Sequence, residues 1–120
     1  MKRPTHKELS NKLKQACTFV QKGQANLMNQ TAMAADALEL DYSIEFELFD
    51  VLNELIEHTQ PTDYIGSKPP QRSYEDEISG LDLFAFVVEI KRFSQPVYYK
   101  FSISQDALWL VSLHENRENK

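Results

Sequence analysis

Apolar residues recur at helical spacing in the first half of the chain. Thr5 and Glu8 have the spacing of a capping box, in which each residue satisfies a free backbone N–H of the first turn. Gly23 is a typical helix stop. Between them the apolar positions follow an i, i+4, i+7, i+8, i+11 pattern, formed by Leu9, Leu13, Ala16, Cys17 and Val20. This pattern predicts a first helix with one buried face.

Two further helices are predicted before residue 60. The alanine-rich "QTAMAADALEL" favours a short helix, and the short "ANLMN" before it fits an extended connector. "DYSIEFELFDVLNELIEHT" predicts a longer helix that begins at Asp41 or Ser43, both good N-cap residues. Its predicted buried stripe consists of Ile44, Leu48, Val51, Leu52 and Leu55.

The pattern changes in the second half of the chain. Residues 59–80 are rich in proline, glycine and polar side chains, which predicts a long loop, either functional or a disordered connector. "LDLFAFVVEIKRF", "QPVYYKFSIS" and "ALWLVSLHE" then predict strands. Helices followed by strands indicate one α+β domain over residues 1–120, with N-terminal helices (about 5–58) packed on one face of a mainly antiparallel sheet (about 81–115).

The last two strands form a hairpin whose register follows from their alternation. A three-residue turn at Gln105-Asp106-Ala107 makes one face wholly apolar or aromatic, which predicts that it packs on the helices. That predicted core face consists of Tyr99, Phe101, Ile103, Trp109, Val111 and Leu113. The other face then places Tyr98 opposite His114 and Lys100 opposite Ser112, with Cβ atoms about 5 Å apart.

Charge and cysteine content narrow the class of protein. The 120 residues carry a net charge of −5, with six bases and one acid before residue 25, and eight acids and no base between residues 25 and 57. The middle of the chain therefore repels polyanions. No apolar run is long enough to span a membrane. The single cysteine, Cys17, is expected to be a buried structural thiol in a reduced, cytoplasmic protein.

The polar face of the hairpin carries candidate chemistry. Imidazole is suited to general acid–base work near neutrality, and a lysine can stabilise negative charge that builds on a phosphate. With a tyrosine to orient the phosphate, Tyr98, Lys100 and His114 would suit a ribonuclease that needs no metal. The alternative is an ordinary solvated sheet face. The three histidines show no ligand spacing, so neither a metal nor another cofactor is predicted.

Several stretches, in the right order, resemble the MqsR toxins of bacterial toxin–antitoxin systems. "VYYKF" and "LVSLHE" are similar to two strands of that family, and "DYIGSKPPQR" is similar to its loop. "GQ" followed by "ADALELD" is similar to the end of its first helix and the segment after it. The resemblance covers about residues 9–115.

The resemblance implies a RelE-like fold, metal-independent cleavage of mRNA and neutralisation by an antitoxin protein. It implies catalytic roles for Tyr98, Lys100 and His114, and an RNA contact for Arg72. Lys68 is the candidate to replace the family's loop lysine, whose place Gly66 takes. Lys91 and Arg92, at a strand end, are further candidates to guide the RNA backbone.

Two departures from the family keep a second function open. The family's loop lysine is absent, with Gly66 in its place, and Ala85 falls near the place of the family's strand glutamine. The eight acids between residues 25 and 57 support the same alternative. A catalytically degenerate relative that binds protein or RNA on the same scaffold is therefore the alternative to an endoribonuclease toxin. A structural domain with a solvated sheet face is the third interpretation.

Overall fold

The structure, a computed structural model, describes residues 4–65, 71–73 and 75–116. Its helices are α1 (His6–Gln21), α2 (Gln30–Leu40) and α3 (Ile44–His58), with single 3₁₀ turns at Pro61–Asp63 and Asp76–Ile78. Its strands are β1 (Ala25–Leu27), β2 (Gln71–Arg72), β3 (Asp82–Val88), β4 (Val97–Ile103) and β5 (Leu108–Glu115). The predicted α+β class, with the helices first in the chain, is confirmed. Within the described residues, no helix combines the length and apolar character needed to cross a membrane.

The helix ends follow the capping chemistry in the sequence. The Glu8 backbone N–H donates to Thr5 Oγ1 at 3.1 Å, and the Thr5 N–H donates to the Glu8 carboxylate at 3.4 Å, so the capping box forms. Of the two candidates for the start of α3, Ser43 is the cap, because its Oγ accepts from the Phe46 N–H at 3.3 Å. Asp41 instead ends α2, with a left-handed φ of 62°.

The strands form one sheet in the order β1-β5-β4-β3-β2. β1 pairs in parallel with β5, and the other pairs are antiparallel. Two predictions about which residues belong to the sheet were wrong. Residues 25–27 of the predicted connector at residues 25–29 form a strand. Two hydrogen bonds hold its flanks, since Leu108 donates to the Gln24 carbonyl and Met28 donates to the Leu110 carbonyl. The predicted loop contains β2 and both 3₁₀ turns, so the sheet extends beyond residues 81–115.

The core lies between the helices and the inner face of the sheet. The inward side chains of β3, β4 and β5 share one buried cluster with those of all three helices. Phe86, Tyr99 and Phe101 stack at its centre, with ring centroids 5.7–5.9 Å apart. Tyr99 is fully buried, and its hydroxyl lies 2.7 Å from Thr59 Oγ1 just beyond α3. Cys17, expected to be buried, is only half-buried.

The hairpin register is as predicted at one end and shifted at the other. Tyr98 pairs with His114 and Lys100 with Ser112, as the alternation predicts. A β-bulge then shifts the pairing, so Phe101 lies opposite Leu110 instead of Val111. The bulge inserts one extra residue into β5. The side chains of β5 that precede the bulge therefore point to the opposite sheet faces from those predicted.

The bulge corrects the predicted core face. Leu108 and Leu110 are buried, and Trp109 and Val111 are half-exposed on the opposite side. The three-residue step from Leu110 to Leu113, both fully buried, spans the bulge. The half of the hairpin that carries Tyr98, Lys100 and His114 is unaffected.

Candidate functional site on the outer sheet face

The three predicted catalytic side chains share the sheet face that points away from the core, called here the outer sheet face. Tyr98 on β4 lies directly opposite His114 on β5. Lys100 lies two residues along β4 from Tyr98 and opposite Ser112, so it is about 7 Å from Tyr98 along the strand. Antiparallel pairing of alternating strands is what brings these residues together.

Tyr98 and His114 form a stacked pair. Their ring centroids are 4.9 Å apart and the rings are inclined by 13°. His114 Nδ1 lies 2.7 Å from the backbone carbonyl oxygen of Glu115. Because a carbonyl only accepts, this contact requires the proton on Nδ1 and leaves Nε2 of the neutral ring with its lone pair free. The stack and the hydrogen bond together hold the imidazole in one orientation with a basic nitrogen available.

The hydroxyl of Tyr98 stays protonated near neutral pH. Burial disfavours the phenolate and raises the pKa of Tyr98 above its ordinary value. The hydroxyl therefore serves as a hydrogen-bond donor near neutrality and not as a base. In this pair the histidine is the group able to accept a proton.

A groove of about 740 Å³ opens beside Lys100. Seven of its nine lining residues have polar or charged side chains, among them two cationic residues, Lys100 and Arg72, and one carboxylate, Glu75. The other lining residues are Asn29, Gln71, Ser73, Leu83, Val111 and Ser112. The groove combines charge and hydrogen-bond donors that suit a phosphate-bearing ligand.

The loop cations are only partly in place at this groove. Arg72 lies opposite Asp82 on the neighbouring strand, with its Nε 3.9 Å from a carboxylate oxygen. The Arg72 side chain is 71% exposed, so this long ion pair leaves it free to turn towards a ligand. Lys68 and Gly66 lie outside the described residues.

The strand-end pair, Lys91 and Arg92, is not brought to Lys100. Arg92 donates to Glu54 and Glu47 of α3, each at 2.8 Å, which places its guanidinium on the helix side of the sheet. The hydrogen bond to Glu54, followed by the charges of both glutamates, raises the pKa of Arg92. Lys91 lines a different groove together with His58 and Glu89.

The side chains across from the candidate site on β3 are apolar. Ala85 lies opposite Lys100, and Val87 lies opposite Tyr98. No polar side chain of β3 therefore faces Lys100 directly. The departure at Ala85 falls in the middle of the candidate site.

Several groove residues carried no assigned role in the sequence. Ser112 was placed opposite Lys100 by the register, and the groove adds Gln71 and Asn29. Asn29 precedes α2 in a left-handed conformation (φ 52°), which asparagine tolerates better than most residues. An asparagine between a short strand and a helix is the sequence signal that could have indicated this turn.

The described part of the chain holds no cluster of three or more histidine, cysteine or carboxylate side chains able to hold a metal ion. No protein-family model, curated protein or solved structure matches the chain. The resemblance to the MqsR toxins therefore rests on the sequence motifs quoted above.

Proposed function

We propose that the protein is an endoribonuclease toxin that cleaves mRNA by attack of a 2′-hydroxyl on the adjacent phosphate. The observation that carries the proposal is the Tyr98–His114 stack beside Lys100, on one sheet face and next to the groove that Lys100 and Arg72 line. The order of the family motifs along the sequence supports it. In this proposal the enzyme acts in the cytoplasm on single-stranded mRNA, and a cognate antitoxin protein neutralises it.

His114 is the general base of the proposed reaction. Its Nε2 takes the proton of the 2′-hydroxyl, while Nδ1 keeps its hydrogen bond to the Glu115 carbonyl. The stacked Tyr98 ring favours the imidazolium that forms, because a cation over an aromatic face is stabilised. Such a positioned base contributes on the order of 10² to 10⁴ in rate.

Lys100 and Tyr98 act on the phosphate. The 2′-oxygen–phosphorus bond forms as the bond from phosphorus to the leaving 5′-oxygen breaks. The Lys100 ammonium stabilises the charge on the phosphorane-like transition state and gives a proton to the leaving oxygen. The neutral Tyr98 hydroxyl donates to a non-bridging oxygen. The products are a 2′,3′-cyclic phosphate and a 5′-hydroxyl end.

The RNA strand follows the groove in this proposal. Lys100 and Arg72 contact its phosphates, and Lys68, which lies outside the described residues, is a further candidate for a phosphate contact. Glu75 in the lining works against phosphate binding, so affinity depends on the two cations. Lys91 and Arg92 remain candidates for contacts further along the strand, although Arg92 would have to leave its two α3 partners.

The test compares histidine and lysine variants at and away from the site. His114→Ala and Lys100→Met are expected to lower cleavage of a single-stranded RNA oligonucleotide at least 100-fold and to abolish growth arrest. The matched controls are His58→Ala and Lys22→Met, which remove the same groups from exposed helix ends. End-group analysis of the products for a cyclic phosphate identifies the reaction.

Two results would overturn the toxin proposal. One is full activity of His114→Ala in a protein with unchanged circular dichroism and melting temperature. The other is intact RNA after incubation with wild-type protein that has been unfolded, separated from any bound antitoxin and refolded. Loss of activity in the control variants as well would assign the losses to folding.

A binding module without catalysis is the second candidate function. The observation that favours it is the apolar pair Ala85 and Val87, which face Lys100 and Tyr98 where a further polar group would complete an active site. This candidate predicts RNA or protein binding that is weakened by Lys100→Met, with no cleavage by the wild-type protein. A binding titration at two salt concentrations, run beside the cleavage assay, separates the two candidates.

A further inference from the structure

Helix α3 exposes two phenylalanines on its outward face. Phe46 is 79% exposed and Phe49 is 39% exposed. At 100° per residue, Asn53 and Glu57 fall on the same face, so these four residues form one stripe along the helix. The stripe is defined here as Phe46, Phe49, Asn53 and Glu57. Exposed aromatic side chains aligned on one helix face are typical of an interaction surface.

The stripe runs into a groove between α1 and α3. The groove has a volume of about 490 Å³, and Asn53 and Glu57 belong to both features. The other lining residues are Leu13, Lys14, Cys17, Gln21 and Ile56. From Phe46 to Glu57 the stripe is about 16 Å long, the length of roughly three helical turns. Aromatic side chains at one end and an apolar groove at the other give it two anchor points.

The charge around the stripe is negative. Glu47 and Glu54 form ion pairs with Arg92. Three other carboxylates of α3 form no ion pair with another described residue: Glu45, Asp50 and Glu57. No base occurs between residues 25 and 57. Lys14, across the groove on α1, is the base among the lining residues. The surface therefore joins apolar anchors to an excess of carboxylates.

We propose that this stripe and groove bind a basic polypeptide segment that presents apolar side chains at helical spacing. Apolar anchors in a groove and charges around them are how amphipathic helices are recognised. RNA and anionic membranes are disfavoured because their phosphates would meet Glu45, Asp50 and Glu57. A second copy of this chain, docked through the same face, would bring the acidic stripe against itself. A basic protein partner is the occupant that satisfies both the apolar and the charged groups.

The surface is independent of the proposed nuclease site. The opposite side of α3 packs through Val51, Leu52 and Leu55 into the core, on the inner face of the sheet. Tyr98, Lys100 and His114 lie on the outer face. A partner on α3 would therefore leave the outer face open, and the two proposals fail or succeed separately.

The test uses the full chain and a fluorescent 16-residue lysine-rich peptide with leucines at positions i, i+4, i+7 and i+11. A scrambled peptide of the same composition and a version with glutamate in place of lysine are the peptide controls. The protein variants are Phe46→Ser and the charge-removing pair Asp50→Asn with Glu57→Gln. Leu38→Ser is the matched control, because Leu38 on α2 is 83% exposed. Anisotropy at 50 and 300 mM salt gives the affinities.

We expect the patterned peptide to bind at least 10-fold more tightly than either control peptide, and more weakly at the higher salt concentration. Phe46→Ser and the double variant should each weaken binding 10-fold or more, and Leu38→Ser should leave it unchanged. Equal binding of the scrambled peptide, or no effect of Phe46→Ser, overturns the proposal. So does sedimentation analysis showing a dimer that Phe46→Ser dissociates, since a second copy would then be the occupant. RNA cleavage is measured on the same variants and should not change.

Discussion

Two buried tyrosines differ in whether their hydroxyl has a hydrogen-bond partner. The Tyr99 hydroxyl is bonded to Thr59 Oγ1, whereas the Tyr42 hydroxyl is buried and bonds to no described residue. Tyr42 packs edge-on against Phe93, with ring centroids 6.2 Å apart. Replacing each tyrosine with phenylalanine makes the same chemical change in two environments. We expect the two changes to move stability in opposite directions.

The expected changes in the free energy of unfolding follow from the hydrogen bonding of each hydroxyl. Tyr99→Phe removes a satisfied hydrogen bond and leaves Thr59 Oγ1 with one fewer donor, so it should lower the free energy of unfolding by about 1–2 kcal/mol. Tyr42→Phe removes a polar group that is buried without a partner, so it should raise the free energy of unfolding by about 1 kcal/mol. The two variants should therefore differ by about 2–3 kcal/mol, although their compositions are identical.

Urea unfolding at pH 7, followed by far-ultraviolet circular dichroism, measures this difference. Equal m-values in the wild type and both variants would show that the change is in the native state and not in the compactness of the denatured state. The melting temperatures should separate by roughly 10 °C for a chain of this size. If both variants lose stability by similar amounts, the hydrogen-bond reasoning is refuted, because Tyr42 would then have a partner that the structure does not show.

Three further predictions concern pH, a helix cap and an ion pair. Burial, and secondly the charge of Asp36, raise the pKa of Tyr42 from 10.0 to about 12. As the pH rises, Tyr42 therefore loses its hydroxyl proton in the unfolded chain before it does so in the folded protein. The contribution of Tyr42 to the free energy of unfolding is complete below pH 10 and should fall between pH 10 and 12, by up to about 1.4 kcal/mol per pH unit. Urea titrations at pH 9 and 11 should show a smaller loss in Tyr42→Phe than in the wild type. Ser43→Ala should lower the free energy of unfolding by about 1 kcal/mol because it removes the α3 cap, whereas Ser43→Asp should keep the cap and the stability. Equal losses of stability in both variants would show that the cap is not the cause. Arg92→Met should cost about 1 kcal/mol in low salt and less in 1 M NaCl; a salt-independent loss would indicate packing instead of charge.

Local signals predicted the helices well. The capping box at Thr5 and Glu8, the alanine-rich run of α2 and the spacing of Leu48, Val51 and Leu55 each involve residues within a few positions of one another. Because these interactions join residues that are close in sequence, the sequence pattern reveals them. Strand β1 was missed because three residues, Ala25–Leu27, are too few to show alternation, and their partner strand lies far along the chain.

The candidate site was predictable where the alternation is regular and not where it breaks. The pairing of Tyr98 with His114 followed from the face pattern. The bulge escaped prediction because Trp109, Leu110 and Val111 are all apolar, so polarity alone does not reveal which of them points inward. The hydrogen bonds from Arg92 to α3 join residues about 40 positions apart. The sequence pattern carries no information on such distant pairs.

The position of β5 in the sheet has a consequence for how the protein is made. Ala25 on β1 pairs with Leu108 on β5, about 80 residues later, and His114 lies on that same strand. During synthesis, β1 has no sheet neighbour until β5 has left the ribosome, because β5 is the strand beside it. Tyr98 likewise acquires its stacking partner only then. A nascent chain carries Tyr98 and Lys100 without His114, so the proposed nuclease site cannot assemble before translation of β5 is complete.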